Sequence, residues 1–153
     1  MKSTSDWSIR EATLDDLQPL ARVFESYRVW YRKEPNLEEA VRFLSERLKN
    51  KESVVFVCET SSEIVGFTQL YPLFSSTRMK RIWLLNDLFV DEKHRGKGIS
   101  IGLIDSAKKL VEDTGAFAMF LETEKTNDIG NQLYPRAGFE LNTISNYYEW
   151  VAS

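Results

Sequence analysis

Cysteine and histidine are nearly absent from this 153-residue chain, at one residue each. Cys58 alone cannot form an internal disulfide, so a reducing, cytoplasmic setting fits. It lies in the apolar run Val54-Val-Phe-Val-Cys and reads as a small buried hydrophobe. His94 falls in a polar turn and reads as solvated; neither a metal site nor a cysteine nucleophile is evident. A basic excess is also missing. The net charge is −3, which argues against nucleic acid or a membrane surface as a partner. No apolar run reaches the roughly 20 residues of a membrane span. The start, Met-Lys-Ser-Thr-Ser-Asp-Trp-Ser, has no apolar signal core. With no internal repeat, low-complexity segment or Pro/Gly-rich linker, residues 1–153 read as one domain with a real core.

What is present is hydrophobic periodicity of two kinds. Trp7 to Glu11 alternates weakly, as a short first strand. Thr13-Leu-Asp-Asp reads as a helix start, with Thr13 as the cap and Asp16 three residues on. Leu17, Leu20, Ala21, Phe24, Tyr27 and Tyr31 then follow at helical spacing. Pro35 and Asn36 interrupt, and a second amphipathic helix runs from Leu37 to near Asn50. Ser53 to Thr60 and Ile64 to Phe74 form a hairpin, in which Gly66 marks a bulge or a close backbone approach. Met79 to Val90 is a long strand, apolar nearly throughout from Ile82, and therefore central. A helix from Ile99 is stopped by Gly115, and Ala116 to Leu121 is a further buried strand. A strand-helix-strand unit of this length is a right-handed crossover between parallel strands. A short helix follows, ended by Gly138, and Phe139–Leu141 with Tyr147–Val151 read as a closing antiparallel pair. The fold class is mixed α/β: a twisted sheet of about six to seven strands with about four helices.

The stretch from Asp87 to Gly102 organises the chain. A buried strand ends at Val90, a turn holds Arg95, Gly96, Lys97 and Gly98, and a helix begins at Ile99. Glycines let the backbone turn sharply and approach a ligand closely. The free N–H groups of the helix's first turn and the helix dipole favour an anion such as phosphate. The pattern is not a Walker loop, because no Gly-Lys-Ser/Thr closes it, and it lacks the third glycine of a dinucleotide fingerprint. Beyond the second parallel strand, Asn127 and Tyr134 are seven apart and share a helical face.

The order Val90-x4-Arg95-Gly-x-Gly-Ile, helix, strand, Asn127-x6-Tyr134-x3-Gly138-Phe139 resembles the GNAT superfamily of acetyl-CoA-dependent N-acetyltransferases. Asn86-Asp-Leu-Phe-Val looks most like its diamine and polyamine acetyltransferase branch. The resemblance implies that Arg95, Gly96, Lys97, Gly98, Ile99 and Ser100 bind the pyrophosphate of acetyl-CoA, the cosubstrate. It implies that Leu88, Phe89 and Val90 pair with the pantetheine arm, one N–H polarising the thioester carbonyl. Asn127 would hydrogen-bond the pantetheine, and Tyr134 would protonate the departing thiolate. Two positions depart from the pattern. Ser100 stands where Gly or Ala is usual, and Asn86 stands where polyamine acetyltransferases commonly carry glutamate.

Asn86 cannot take a proton from an ammonium, so Asp87, Glu122 and Glu124 are the carboxylates to consider as a base. Asp87 is the favoured base, because burial in the central strand would raise its pKa. Its alternative is a structural carboxylate. Strand alternation places either Asn86 or Asp87 toward the acceptor, and a bulge reverses the count. Tyr27, Trp30, Tyr31 and Glu34, with Asn86 and Glu122, are the candidate acceptor-binding residues, beside Tyr147, Tyr148 and Glu149 of the closing strands. Aromatics with carboxylates suit a cationic amine, and the same aromatics suit a dimer face. The expectation is acetyl transfer to a small-molecule primary amine by a homodimer, without a metal. A protein or peptide N-acetyltransferase and a non-catalytic acyl-CoA sensor are the alternatives.

Overall fold

The computed structural model describes residues 6–153. Its strands are β1 (Ser8–Glu11), β2 (Val54–Glu59), β3 (Ile64–Ser75), β4 (Lys80–Val90) and β5 (Met119–Phe120). Its helices are α1 (Leu17–Trp30), α2 (Leu37–Lys49), α3 (Ile99–Asp113) and α4 (Asp128–Arg136). The chain forms two compact units, one ending at Leu121 and the other comprising Glu122–Ser153.

In the first unit the five strands lie in the order β1-β2-β3-β4-β5. Pairing is antiparallel up to β4 and parallel between β4 and β5. One sheet face is covered by α1 and α2 through Leu20, Phe24, Leu44, Val55, Val57, Phe67 and Phe89. The other is covered by α3 through Ile99 and Leu103, packed on Cys58, Val65 and Val90. Each large apolar side chain removed from water in these layers contributes roughly 1.5–3 kcal/mol before entropy is counted. Gly66 lies opposite Val90, and a Cβ there would stand 3.0 Å from the Phe89 carbonyl, so the close approach read from the sequence is real.

Local chemistry explains the element boundaries. Thr13 and Asp16 form the capping box: Asp15 N–H donates to Thr13 Oγ1 at 3.2 Å, and Thr13 N–H donates to Asp16 Oδ2 at 2.8 Å. A short 3-10 turn, Leu14–Asp16, leads into α1. Glu25 ties the α1–α2 connection, accepting from the Asn36 N–H and from Arg28. The expected mixed α/β class is observed, with two differences of detail.

First, β5 is shorter and more open than the buried strand expected over 116–121. Met119 and Phe120 pair with β4, Phe117 N–H and Ala118 O add bonds to Arg81 O and Trp83 N–H at 2.8 and 3.0 Å, and Phe120 is 47% exposed. Second, the closing pair is not formed: residues 139–153 carry no strand, so the described residues hold five strands and not six or seven. Asn142 makes a side-chain turn, its Oδ1 accepting from Ile144 N–H and Ser145 N–H at 2.9 Å each. Leu141 (86%), Ile144 (93%) and Trp150 (89%) stay exposed. A two-stranded ribbon without a covered apolar face is marginal, which accounts for the missing pairing.

Candidate active site

The basic turn follows β4 directly. Glu92–His94 makes one 3-10 turn, Gly96 and Gly98 take φ of 80° and 83°, and α3 starts at Ile99. Side chains rarely adopt such angles, so the glycines are required by the turn. A Cβ added at either glycine would meet nothing within 4 Å, so the space above the turn is open. Gly98 offers no side-chain cap. The first intrahelical bond is Gly102 N–H to Gly98 O at 3.0 Å, which leaves the N–H groups of Ile99, Ser100 and Ile101 ahead of it. Open space, spare donors and the positive end of the dipole fit a pyrophosphate.

Arg95 lies back over the protein. Its Nε donates to Val90 O at 2.9 Å, and its guanidinium lies 4.5 Å from the Trp30 ring centre and 5.3 Å from that of Phe89. The cation–π contact joins the turn to the last residue of α1. His94 corrects the sequence reading. The 3-10 turn folds its ring inward, the side chain is 18% exposed, and Nδ1 is buried 3.5 Å from Asp91 Oδ2. Burial pushes the Cys58 thiol up to about 11, which suits a packing role.

β4 runs on beyond its short contact with β5. Trp83 and Leu84 pair with Met119 and Phe120, whereas Leu88 to Val90 are paired only on the β3 side among the described residues. Backbone groups on the open edge are therefore available to an extended ligand arm.

A bulge settles the orientation that alternation left open. Gln69 pairs with Asp87 but Leu70 pairs with Leu85, so Asn86 is the extra residue. Asn86 is exposed and Asp87 is 4% exposed, on the same face as Phe67 and Phe89. Asp87 Oδ2 accepts from Gln69 Nε2 at 2.8 Å, and Oδ1 accepts from Asn86 Nδ2 at 3.1 Å. The Tyr27 hydroxyl also hydrogen-bonds this carboxylate and lies 3.5 Å from Asn86 O. Burial raises the Asp87 pKa, and the three donors offset part of that shift. Sequence reasoning missed Gln69 and Ser53; an amide inside the apolar run of β3 was the one local hint, and it did not point to the distant partners Ser53 and Asp87.

The other named residues fall as follows. Tyr27 is half-buried against Phe67, Phe89 and Tyr31. Trp30 is half-exposed beneath Arg95, and Glu34 is exposed with its carbonyl accepting from Arg28 at 3.1 Å. Within the second unit, Asn127 caps α4. Its Oδ1 accepts from Gly130 N–H at 3.1 Å, and its Nδ2 donates to Thr123 Oγ1 at 2.8 Å. One amide hydrogen and one lone pair remain for another partner. Tyr134 shares that face: a Cβ on Gly130 would meet both Asn127 Nδ2 and Tyr134 Cε2. The Tyr134 ring packs edge-on to Phe139 at 5.7 Å. Glu122 and Glu149 raise the pKa of the exposed Tyr147 phenol, and Glu122 hydrogen-bonds it.

Comparison with known proteins gives these features a context. The profile of the Acetyltransferase (GNAT) family matches residues 18–139. The uncharacterized N-acetyltransferase YhfO of Bacillus subtilis is 43% identical over 92% of this chain and 95% of its own length. A probable acetyltransferase of Haemophilus influenzae is 30% identical over 88% of this chain and 90% of its own. The crystal structure of a probable acetyltransferase superposes with a TM-score of 0.91 at 35% identity, covering 95% of this chain and 98% of that one. The profile match and the relatives agree with the glycine turn, and the chain belongs to the GNAT family of acetyltransferases, enzymes whose cosubstrate is acetyl-CoA.

Proposed function

We propose that residues 1–153 act as one N-acetyltransferase domain that moves the acetyl group of acetyl-CoA to a primary amine of a small molecule, polyamine-like or otherwise. The observation that carries this reading is the uncapped start of α3 behind Gly96 and Gly98, next to the open edge of β4. Backbone N–H groups from Gly96 to Ser100, aided by Lys97, hold the pyrophosphate. The edge from Leu88 to Val90 pairs with the pantetheine, and one of its N–H groups polarises the thioester carbonyl. Such a donor, aimed at a developing oxyanion, lowers a barrier by about 3 kcal/mol.

The amine nitrogen attacks the carbonyl carbon directly, in a ternary complex. Collapse of the tetrahedral intermediate breaks the C–S bond, and Tyr134 gives its phenolic proton to the thiolate. A phenol with an ordinary pKa near 10 does this without prior ionisation. Asp87 takes the proton that the ammonium must lose, and Asn127 uses its remaining amide hydrogen on the pantetheine. The raised Asp87 pKa supports its choice as base. Tyr27, Trp30, Tyr31, Glu34, Asn86 and Glu122 line the acceptor side, where carboxylates and ring faces favour a cation. The exposed apolar side chains Leu141, Tyr148 and Trp150 support a homodimer, and the lone, buried Cys58 fits a cytoplasmic setting.

The test is calorimetric titration with acetyl-CoA, followed by thiol release against a panel of polyamines, amino sugars, amino acids and peptides. Micromolar binding and release driven by a small primary amine are expected. Release by peptides alone would replace the small-molecule reading. Binding without release would make the protein an acyl-CoA sensor, and no binding would remove the role given to the glycine turn.

A further inference from the structure

We propose that Gln69 and Ser53 are positioning residues for Asp87: they fix Oδ2 in the sheet so that Oδ1, on the side of exposed Asn86, receives the acceptor's proton. The inference rests on Asp87 being the base of the transfer proposed above. Its basis is a chain of three buried polar side chains. Ser53 Oγ donates to Gln69 Oε1 at 2.8 Å, and Gln69 Nε2 donates to Asp87 Oδ2 at 2.8 Å. Ser53 is 7% exposed and Gln69 fully buried, so no water competes for these groups.

The direction of the chain matters. A carboxylate only accepts, so the Gln69 amide must turn its N–H₂ toward Asp87 and its oxygen toward Ser53. The serine hydroxyl meets that oxygen and holds the amide in this orientation. Oδ2 is bonded to a fully buried amide that no acceptor can reach, whereas Oδ1 is bonded at 3.1 Å to the amide of exposed Asn86, so the proton arrives on the Oδ1 side. The neighbouring residue of β3 secures the backbone of the same residue: Thr68 Oγ1 donates to Asp87 O at 2.7 Å. Two successive side chains of β3 therefore hold Asp87 just beyond the Asn86 bulge, where the register shifts.

The titratable groups facing Asp87 are Tyr27 from α1 and Tyr71 from β3. Burial and the Asp87 charge push Tyr71 up to about 12, and Arg47 of α2 acts on it in the opposite sense. Tyr71 keeps its proton at neutral pH and adds no charge beside Asp87, and the Gln69 bond is the influence that the variants below change. The Gln69 N–H favours the charged carboxylate and so lowers its pKa; removing it moves the titration upward.

The experiment uses the full chain labelled with carboxyl-¹³C aspartate, the Asp87 resonance being identified by its loss in Asp87→Asn. Losing one donor from an ionised carboxylate should raise the Asp87 midpoint by about one pH unit in Gln69→Leu. A smaller rise is expected in Ser53→Ala and none in Ser53→Thr, which keeps the hydroxyl. The same variants are then assayed across pH with saturating acetyl-CoA and the panel amine that releases most thiol. The acid limb of kcat should move up with the carboxyl midpoint, while KM for acetyl-CoA stays within about twofold, since uniform binding is untouched. A residue that only supports the fold would lower activity equally at every pH.

An unmoved midpoint in Ser53→Ala and Gln69→Leu overturns the proposal. If Gln69→Leu fails to fold, Ser53→Ala against Ser53→Thr decides. A midpoint that moves without the acid limb removes Asp87 as base and overturns the proposal, while continued thiol release upholds the transferase. No thiol release with any amine sinks the transfer reading and this inference with it.

Discussion

Three helices of this protein begin in two different ways. α2 and α4 start on asparagines, and the Oδ1 atoms of Asn36 and Asn127 accept from Glu39 N–H and Gly130 N–H, each at 3.1 Å. α3 starts on Gly98, in a left-handed conformation, with no side chain to offer. The first two starts are closed by the chain itself, so their donors contribute to stability. The third is left open, and the proposed function gives its donors to another molecule. Changes at a closed start should cost stability, and changes at the open start should cost binding.

The largest effect is expected at the open start. Gly98→Asp puts a carboxylate at the proposed pyrophosphate site, in a residue type that tolerates positive φ. Acetyl-CoA affinity should fall by about 100-fold, or roughly 2.7 kcal/mol, in a calorimetric titration. Undiminished affinity would mean that the open start binds nothing. Next is Tyr134→Phe, on the α4 face beside its closed start. Removing a general acid should lower kcat by about 10²-fold while acetyl-CoA affinity is kept. A fall of less than about threefold would take the acid role from Tyr134, because such a change is far below that range.

Asn127 sharpens the comparison because it is given both jobs. Asn127→Ala should cost about 1 kcal/mol in urea unfolding through the lost cap and also raise KM for acetyl-CoA. Asn127→Asp keeps the capping oxygen and loses the amide hydrogen, so stability should recover and KM should not. Recovery of both would show that capping is the residue's whole role. The smallest effect concerns Asn36→Ala at α2. It should cost about 1 kcal/mol of stability and leave acetyl-CoA affinity unchanged; a changed affinity would break the division between open and closed starts.

Much of this was legible in the sequence for physical reasons. Gly96 and Gly98 announce a turn that side chains cannot make, and Thr13 with Asp16 announces a capping box. The Asn86 bulge was not legible, because Leu85-Asn86-Asp87-Leu88 alternates acceptably in either register and only the partner strand decides. Gln69 was hidden for a related reason: a buried amide is tolerable only beside partners on distant parts of the chain, here Ser53 and Asp87. The closing strands were misread because alternation indicates a face to be covered, while pairing needs something to cover it. The stacking of Arg95 on Trp30 spans two elements far apart in sequence and has no local signature.

The extra residue at Asn86 also divides β4 into two stretches of opposite parity. Trp83 hydrogen-bonds Thr114 at the end of α3, and Leu85, two residues on, follows it to that face. Asp87 and Phe89 continue the same odd numbering yet face α1. Deleting one residue here would therefore do more than shorten the strand: it would exchange the α1 face for the α3 face along half its length. Substitutions at 86 and 87 carry no such penalty, because they leave the count intact. The register of β4 thus depends on its length and not on which residues stand at 86 and 87, which keeps the packing at both ends in frame.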